Sequence, residues 1–271
     1  MVSIQTYTSA KLSAFIKSFW HLEVIADTNK PYTEEILPDC HHEIIFTLTA
    51  PLLRKKQPSE NWSSDPRFYF TGQNSKSYSQ LFKPGTIMYG IRFHPHTQHL
   101  FFNFPAILST DNLIPVEDVA EANRIQHCFS ESPSRTFLNL EQEFTKRAYF
   151  LKHPENSFFY VEAAVKEIIK TKGNLKRKQI EKVTGVSSRY LEKSFLTYVG
   201  LSPKQFSNII KFGNFVTYRK NNPQKTLTEC AYETSFYDQS HLIHLSNQIT
   251  NLSPKHQFLQ ENHINNLFLQ S

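Results

Sequence analysis

The chain repeats itself near its end: LSPKQF, beginning at Leu201, returns as LSPKHQF at Leu252, 51 residues later. A repeat of that length implies a unit of structure used twice, and each copy follows a short apolar-periodic stretch, a turn and a second stretch of matching length. In the first unit, Ile180, Val183 and Thr184 predict a short helix face, TGVS supplies a glycine turn, and Ser187 caps a helix reaching about Tyr198. Leu191, Phe195 and Tyr198 fall on the buried side of that helix, with Arg189, Glu192 and Lys193 on the opposite side. In the second unit, Thr226 and Glu229 fit a capping box, Ala231 takes a tight position between helices, and Asp238 caps a helix whose Leu242, Leu245 and Ile249 face inward. Its outward groups are Ser240, Ile243, His244 and Asn247, with Gln239 at the exposed N-terminal edge. Between the units, Ser202, Pro203 and Gln205 open a helix of roughly 17 residues, long enough to hold the two about 25 Å apart.

Charge is distributed as unevenly as pattern. Residues 152–225 hold 15 Lys and Arg against 5 Asp and Glu, whereas residues 1–151 hold 14 against 15 and residues 226–271 hold 1 against 4. The excess in the middle segment fits a polyanion, with a solvated helical surface as the plainer reading. Lys176, Arg177, Lys178 and Lys204 are its candidates for contact with phosphate. The second unit's last helix carries no Lys or Arg, so its polar groups can address base edges but cannot neutralise a phosphate while histidine is neutral.

The first half has a different period. Trp20, Leu22 and Val24, then EIIFTL, RFYFTGQ and TIMYGIRF, alternate between punctuating Pro, Gly, Asn and Asp clusters, which predicts several short strands. After Pro95 the period lengthens: PVEDVAEANRIQHCF and SPSRTFLNLEQEFTKRAYFL read as helices, the latter with Phe137, Leu140, Phe144, Ala148 and Leu151 on one stripe. That stripe suits either packing on its own domain or pairing with a second copy. KHPENS then marks a boundary, after which Phe158, Val161, Val165 and Ile168 form a helix face ended by Gly173. The expected fold class is α+β: a β-rich domain with trailing helices over residues 1–152, then an all-α domain over 157–262 with two helix pairs joined by a linker helix.

Cys40, Cys128 and Cys230 are odd in number and widely spaced, so they read as packed thiols. No run approaches the length of a membrane span and no leader pattern opens the chain, from which a soluble cytoplasmic protein without a membrane partner is expected.

The stretches VSSRYLEKSFLTYVGLSPKQFSNIIKF and LTECAYETSFYDQSHLIHLSNQITNLSPKHQF resemble the double helix-turn-helix domain of the AraC/XylS family of bacterial transcription regulators. The likeness spans about residues 160–260. Its motifs are a recognition helix with Ser187, Leu191 and Phe195 in step, the GLSPKQF junction, and the turn running from Ala231 through SFYDQSH. More faintly, LPDCHHEIIFTL and GIRFHPH resemble a β-rich sensor or dimerisation domain found ahead of it in one branch of the family. The resemblance implies base contacts from Arg189, Glu192 and Lys193 in the first unit and from Gln239, Ser240, Ile243 and His244 in the second. This chain departs from the family's pattern at three places. Ser235 replaces the turn glycine, Ser246 and Asn247 replace a Phe-Lys pair, and Glu181 stands where a small residue is usual.

The expected function is therefore a sequence-specific, DNA-binding transcription regulator. Double-stranded DNA is its partner, a small-molecule effector and a homodimer are open options, and neither cofactor nor enzymatic activity is expected. The aromatic-rich interior of the β half is either a pocket for that effector or plain core. Two other classes stay open. His41, His42, Glu43, His94, His96 and His99 are ligand types for a metal-dependent enzyme in the β-rich half, and His241 and His244, with Cys230, are a separate set of metal-ligand types. The acidic balance after residue 226 suits a protein-interaction module with weakened DNA binding.

Overall fold

The computed structural model describes residues 2–25, 31–120, 122–174, 176–252, 254, 264 and 265. Its first half contains ten strands: β1 (Val2–Tyr7), β2 (Ile16–Val24), β3 (Tyr32–Ile36), β4 (His42–Thr47), β5 (Leu53–Lys55), β6 (Ser63–Ser64), β7 (Phe68–Thr71), β8 (Tyr78–Phe82), β9 (Ile87–Phe93) and β10 (Leu113–Pro115). They pair antiparallel into a six-stranded sheet, in the order β1-β2-β9-β4-β7-β10, and a four-stranded sheet, β3-β8-β5-β6.

Alternation along the strands sorts the side chains of the larger sheet between two cores. Trp20, Leu22, Ile45, Tyr69 and Met88 pack with Leu52 and Phe82 on the side of the smaller sheet. Phe19, Ile44, Phe46, Phe70, Ile91 and Phe93 pack on the opposite side, against helices. Because both faces are covered, β2, β4 and β9 send apolar side chains to both sides of the sheet. Gly90 is required where it stands: it pairs with Trp20 across the β2–β9 ladder, and a Cβ there would lie 2.0 Å from the Trp20 ring.

The helices are α1 (Gln98–Phe101), α2 (Pro133–Tyr149), α3 (Asn156–Lys170), α4 (Arg177–Thr184), α5 (Ser188–Tyr198), α6 (Pro203–Asn221), α7 (Leu227–Glu233) and α8 (Gln239–Thr250). The apolar stripe of α2 is spent inside its own domain: Phe137, Leu140 and Phe144 are buried against the larger sheet, with Ala148 and Leu151 partly buried beside them. That stripe therefore packs on its own half of the chain, while Leu138 and Tyr149 on the other side of α2 stay exposed. Among its described residues, the segment PVEDVAEANRIQHCF, expected as a helix, forms two short 3-10 stretches, Val116–Asp118 and Asn123–Cys128. Pro115 is still paired with Tyr69 of β7, so the chain is extended up to that point and then places Val116, Ala122, Ile125 and Cys128 singly into the core.

The two halves share a core. Leu37 and Cys40, from the loop between β3 and β4, are buried among Phe158, Leu191, Phe195 and Phe206 of the helical half. Hydrogen bonds accompany this packing. His42 Nε2 donates to the Val199 oxygen at 3.1 Å, and Thr110 Oγ1 donates to the Gly200 oxygen at 2.9 Å. The loop itself is fixed from behind by Arg92, only 1% exposed, whose guanidinium donates to Asp39 and Glu43 at 2.7 Å each. All three cysteines are buried thiols. Among the described residues, no helix is long and apolar enough to cross a membrane.

Candidate nucleic-acid interface

Each repeated unit folds as two helices meeting at a turn. In the first, α4 ends at Gly185 with φ +71°, three residues join it to α5, and Ser187 caps α5 by accepting from the Tyr190 main-chain N–H. In the second, α7 opens with the reciprocal Thr226–Glu229 capping box, five residues cross to α8, and Asp238 accepts from the His241 N–H at 2.7 Å. The linker α6 opens with the Ser202–Gln205 capping box and Pro203 in its first turn. Its 19 residues correspond to about 28 Å. Each of these side-chain caps satisfies a main-chain donor that the helix cannot, which stabilises the helix by about 1 kcal/mol.

The inward faces match the sequence expectation with one exception. Ile180, Thr184, Leu191, Phe195 and Tyr198 are buried in the first unit, and Leu242, Leu245 and Ile249 in the second. Val183 is instead 46% exposed, because the short α4 turns only Ile180 and Thr184 toward its neighbours.

The outward faces coincide after the 51-residue shift. Arg189, Glu192 and Lys193 are exposed along α5, one turn apart on one side, and Leu196 extends the row. Ser240, His244 and Asn247 are exposed at the corresponding places of α8, with Ile243 half-buried between them. Gln239 lies at the edge rather than on the face: it is partly buried and its Oε1 accepts from Thr228 Oγ1 at 2.6 Å. Lys176, Lys178 and Lys204 are exposed. Arg177 is exposed too, but its Nε donates to Ser188 Oγ at 2.6 Å and lies 3.6 Å from Glu181, so part of its bonding capacity joins α4 to α5.

The departures from the family pattern have local structural answers. The Glu181 carboxylate accepts from the Ser188 main-chain N–H at 3.2 Å and from the Ser188 hydroxyl, and these bonds hold its pKa below the usual range. An acid at this place thus anchors the start of α5. Ser246 is fully buried and its hydroxyl donates to the Leu252 oxygen at 2.9 Å, replacing aromatic packing with a bond to the chain beyond α8. Ser235 has φ +64°, the left-handed conformation that glycine adopts without a Cβ penalty. The second LSPKHQF copy, apart from Leu252 and Pro254, lies outside the described residues, as does the expected domain end at 262.

The histidines considered as metal ligands are dispersed. His42 is turned to Val199, His94 Nε2 donates to the Ser13 oxygen, and His99 Nδ1 to the Phe104 oxygen. His96 Nε2 lies 3.9 Å from Glu162, and His41 Nδ1 lies 2.8 Å from the Asp39 oxygen. His241 packs edge-on against Phe236 at 5.3 Å, Cys230 is fully buried, and His244 is exposed. Among the described residues, no three His, Cys, Asp or Glu side chains converge as a metal site.

Phe19, Trp20, Phe46, Tyr69, Phe70, Tyr89 and Phe93 of the larger sheet are core, and the cavity left between the sheets, lined by Trp20, Glu43, Tyr69 and Tyr78, holds about 70 Å³. A larger hollow of about 780 Å³ opens at the junction of the halves, among His99, Arg124, Arg147, Lys152 and Tyr198. Sequence patterning gave no sign of it, because its walls come from four separate segments.

The family model described as a domain of unknown function (DUF6597) matches residues 5–115. No curated protein sequence matches the chain. A structure of ToxT from Vibrio cholerae is 12% identical, with 96% of this chain and 99% of that chain covered and a TM-score of 0.44. ToxT from Vibrio cholerae O395 bound to (E)-4-(8-methylnaphthalen-1-yl)but-3-enoic acid is 11% identical over 95% and 98%, again at 0.44. The AraC-like transcriptional activator CuxR is 8% identical over 91% and 80%, at 0.24. The described C-terminal residues form two helix-turn-helix units on one linker helix, the arrangement implied by the sequence's resemblance to the AraC/XylS family.

Proposed function

We propose that the protein is a sequence-specific DNA-binding transcription regulator whose α5 and α8 enter successive major-groove windows. The observation that carries this reading is the pair of outward rows, Arg189, Glu192 and Lys193 on α5 and Ser240, the half-buried Ile243 and His244 on α8, each backed by a buried apolar row. Windows on one face of B-DNA recur about every 34 Å, close to the length of the connecting helix. Arg189 and Lys193 donate to guanine acceptors, Ile243 suits a thymine methyl, and Ser240 and His244 suit either polar edge. Lys176, Lys178 and Lys204, with what remains of Arg177, supply phosphate attraction.

Control by the N-terminal half acts through the docked loop at Leu37–His42 and through Thr110, which hold the end of α5. The junction hollow is of the size that small-molecule sites have, and a ligand there would touch both halves at once.

Selection of bound duplexes from a random pool, followed by salt titration of the enriched sequence, tests the proposal. Two preferred windows about one helical turn apart are expected. A single window would restrict base reading to one unit, and no enrichment would remove the regulator reading.

A further inference from the structure

A groove-reading helix needs cations beside it, because the phosphates that flank the major groove must be neutralised, and α8 carries none. The structure brings them from elsewhere. His241, His244 and Gln248 of α8 form one wall of a surface groove of about 650 Å³. The other walls are Lys204 and Asn208, near the start of α6, and Ser75 and Lys76 in the loop between β7 and β8. Among the described residues, no carboxylate lines this groove. Lys204 and Asn208 also line the groove of the first unit, beside Arg177, Ser188 and Glu192, so the start of α6 is a rim common to both units.

Lys76 stands between two pinned neighbours. The Ser75 N–H and hydroxyl donate to Asp111 at 2.7 and 2.6 Å, which occupies that nearby carboxylate. The Ser77 N–H donates to the Ile249 oxygen of α8 at 2.8 Å. The loop backbone is thereby fixed to the end of α8, while the Lys76 side chain is exposed. Among the described residues, neither Lys76 nor Lys204 forms an ion pair.

Resting on the DNA-binding reading above, we infer that Lys76, from the N-terminal half, acts with Lys204 to hold the phosphates beside α8. The second unit's interface is thus built from both halves of the chain. The affinity of that unit then depends on how the halves are docked, which gives the N-terminal half a direct part in binding DNA.

The test is fluorescence anisotropy of the full chain on its selected duplex, over about 50–200 mM salt. Lys76→Ala should weaken binding and lower the slope of log affinity against log salt by about 0.9, so that its deficit shrinks about threefold across that range. Lys76→Arg should restore the slope, Lys76→Glu should weaken binding further, and Lys83→Ala, at an exposed turn before β9, should match the unaltered protein. An unchanged slope in Lys76→Ala overturns the inference, and tighter binding would show that the loop obstructs DNA instead. If the unaltered protein enriches no duplex, the regulator reading itself fails; if it binds and Lys76→Ala equals it, only the present inference does.

Discussion

The imidazole of His42 donates from Nε2 to the main-chain oxygen of Val199, 3.1 Å away and 157 residues along the chain, joining β4 to the end of α5. The acceptor is a carbonyl, so the proton must sit on Nε2. His42 is fully buried, and that burial lowers its pKa to about 4, with the Val199 bond opposing the shift.

The direction of the pH dependence follows from that shift. The folded pKa lies below the ordinary 6.5, so below pH 6.5 the unfolded chain takes up the proton first and acid favours unfolding. The contribution of His42 is complete above pH 6.5 and is lost as pH falls to about 4. The loss amounts to roughly 3 kcal/mol in that window. Denaturant unfolding across this range should show it, and His42→Gln, which keeps a donor for Val199 but does not titrate, should flatten the same portion of the curve. An equally steep curve in the variant would assign the effect to other groups.

Gly200 should resist substitution for two separable reasons. Its φ is +85°, and a Cβ would lie 2.3 Å from Thr110 Oγ1, the group that donates to its own carbonyl. Gly200→Ala is expected to cost about 1–3 kcal/mol from conformation alone, with the clash in addition. In a Thr110→Ala background the contact with Oγ1 is gone while the conformational cost and the tight approach to the Ala106 backbone persist, so a thermodynamic cycle measured by chemical denaturation should show the double variant losing less than the sum of the two single losses.

Ser235 offers the reverse case. It holds φ +64° in the second turn, where the first turn has Gly185 at +71°. Ser235→Gly removes a left-handed penalty of about 1–2 kcal/mol and adds back about 0.5–1 in unfolded-chain entropy, for a net gain of about 0.5–1 kcal/mol. A raised denaturation midpoint with an unchanged slope would bear this out; a lowered one would mean that the serine side chain has a role the turn needs.

Arg189 is exposed on the outer row of α5, where a guanidinium can donate twice to guanine. Arg189→Ala should reduce affinity by about 1–3 kcal/mol and relax preference at particular base positions. Repeating the pool selection with the variant checks this. A uniform loss on all sequences would make Arg189 a phosphate contact.

The helical half was legible because its determinants are local. Caps at Ser187, Ser202, Thr226 and Asp238, the glycine after α4 and the apolar rows of α5 and α8 each act within a few residues. Less visible were the outcomes that depend on distant partners. Glu181 departs from the family pattern in sequence but binds the start of α5 through Ser188, and Ser246 lacks the family's aromatic but bonds to Leu252, partners that the local pattern does not name. The strands were recognised by alternation, but not their order, since each of β2, β4 and β9 is apolar on both faces and alternation alone does not name its partner.

By itself, the sequence determined the repeated helix pairs, their turns and the residues on their outer rows, since a helix face is set by 100° of rotation per residue. Only the tertiary structure decided what stands beside those rows. Lys76 and Lys204 are 128 positions apart, yet line one groove, because the β7–β8 loop is tied by Ser77 to the end of α8. His42 of β4 and Leu37 of the loop before it become part of the seat of α5 through the Val199 bond and the shared core. Periodicity fixes which way a side chain points from its own element, whereas the docking of two halves is set by cores and hydrogen bonds formed between residues far apart in the chain.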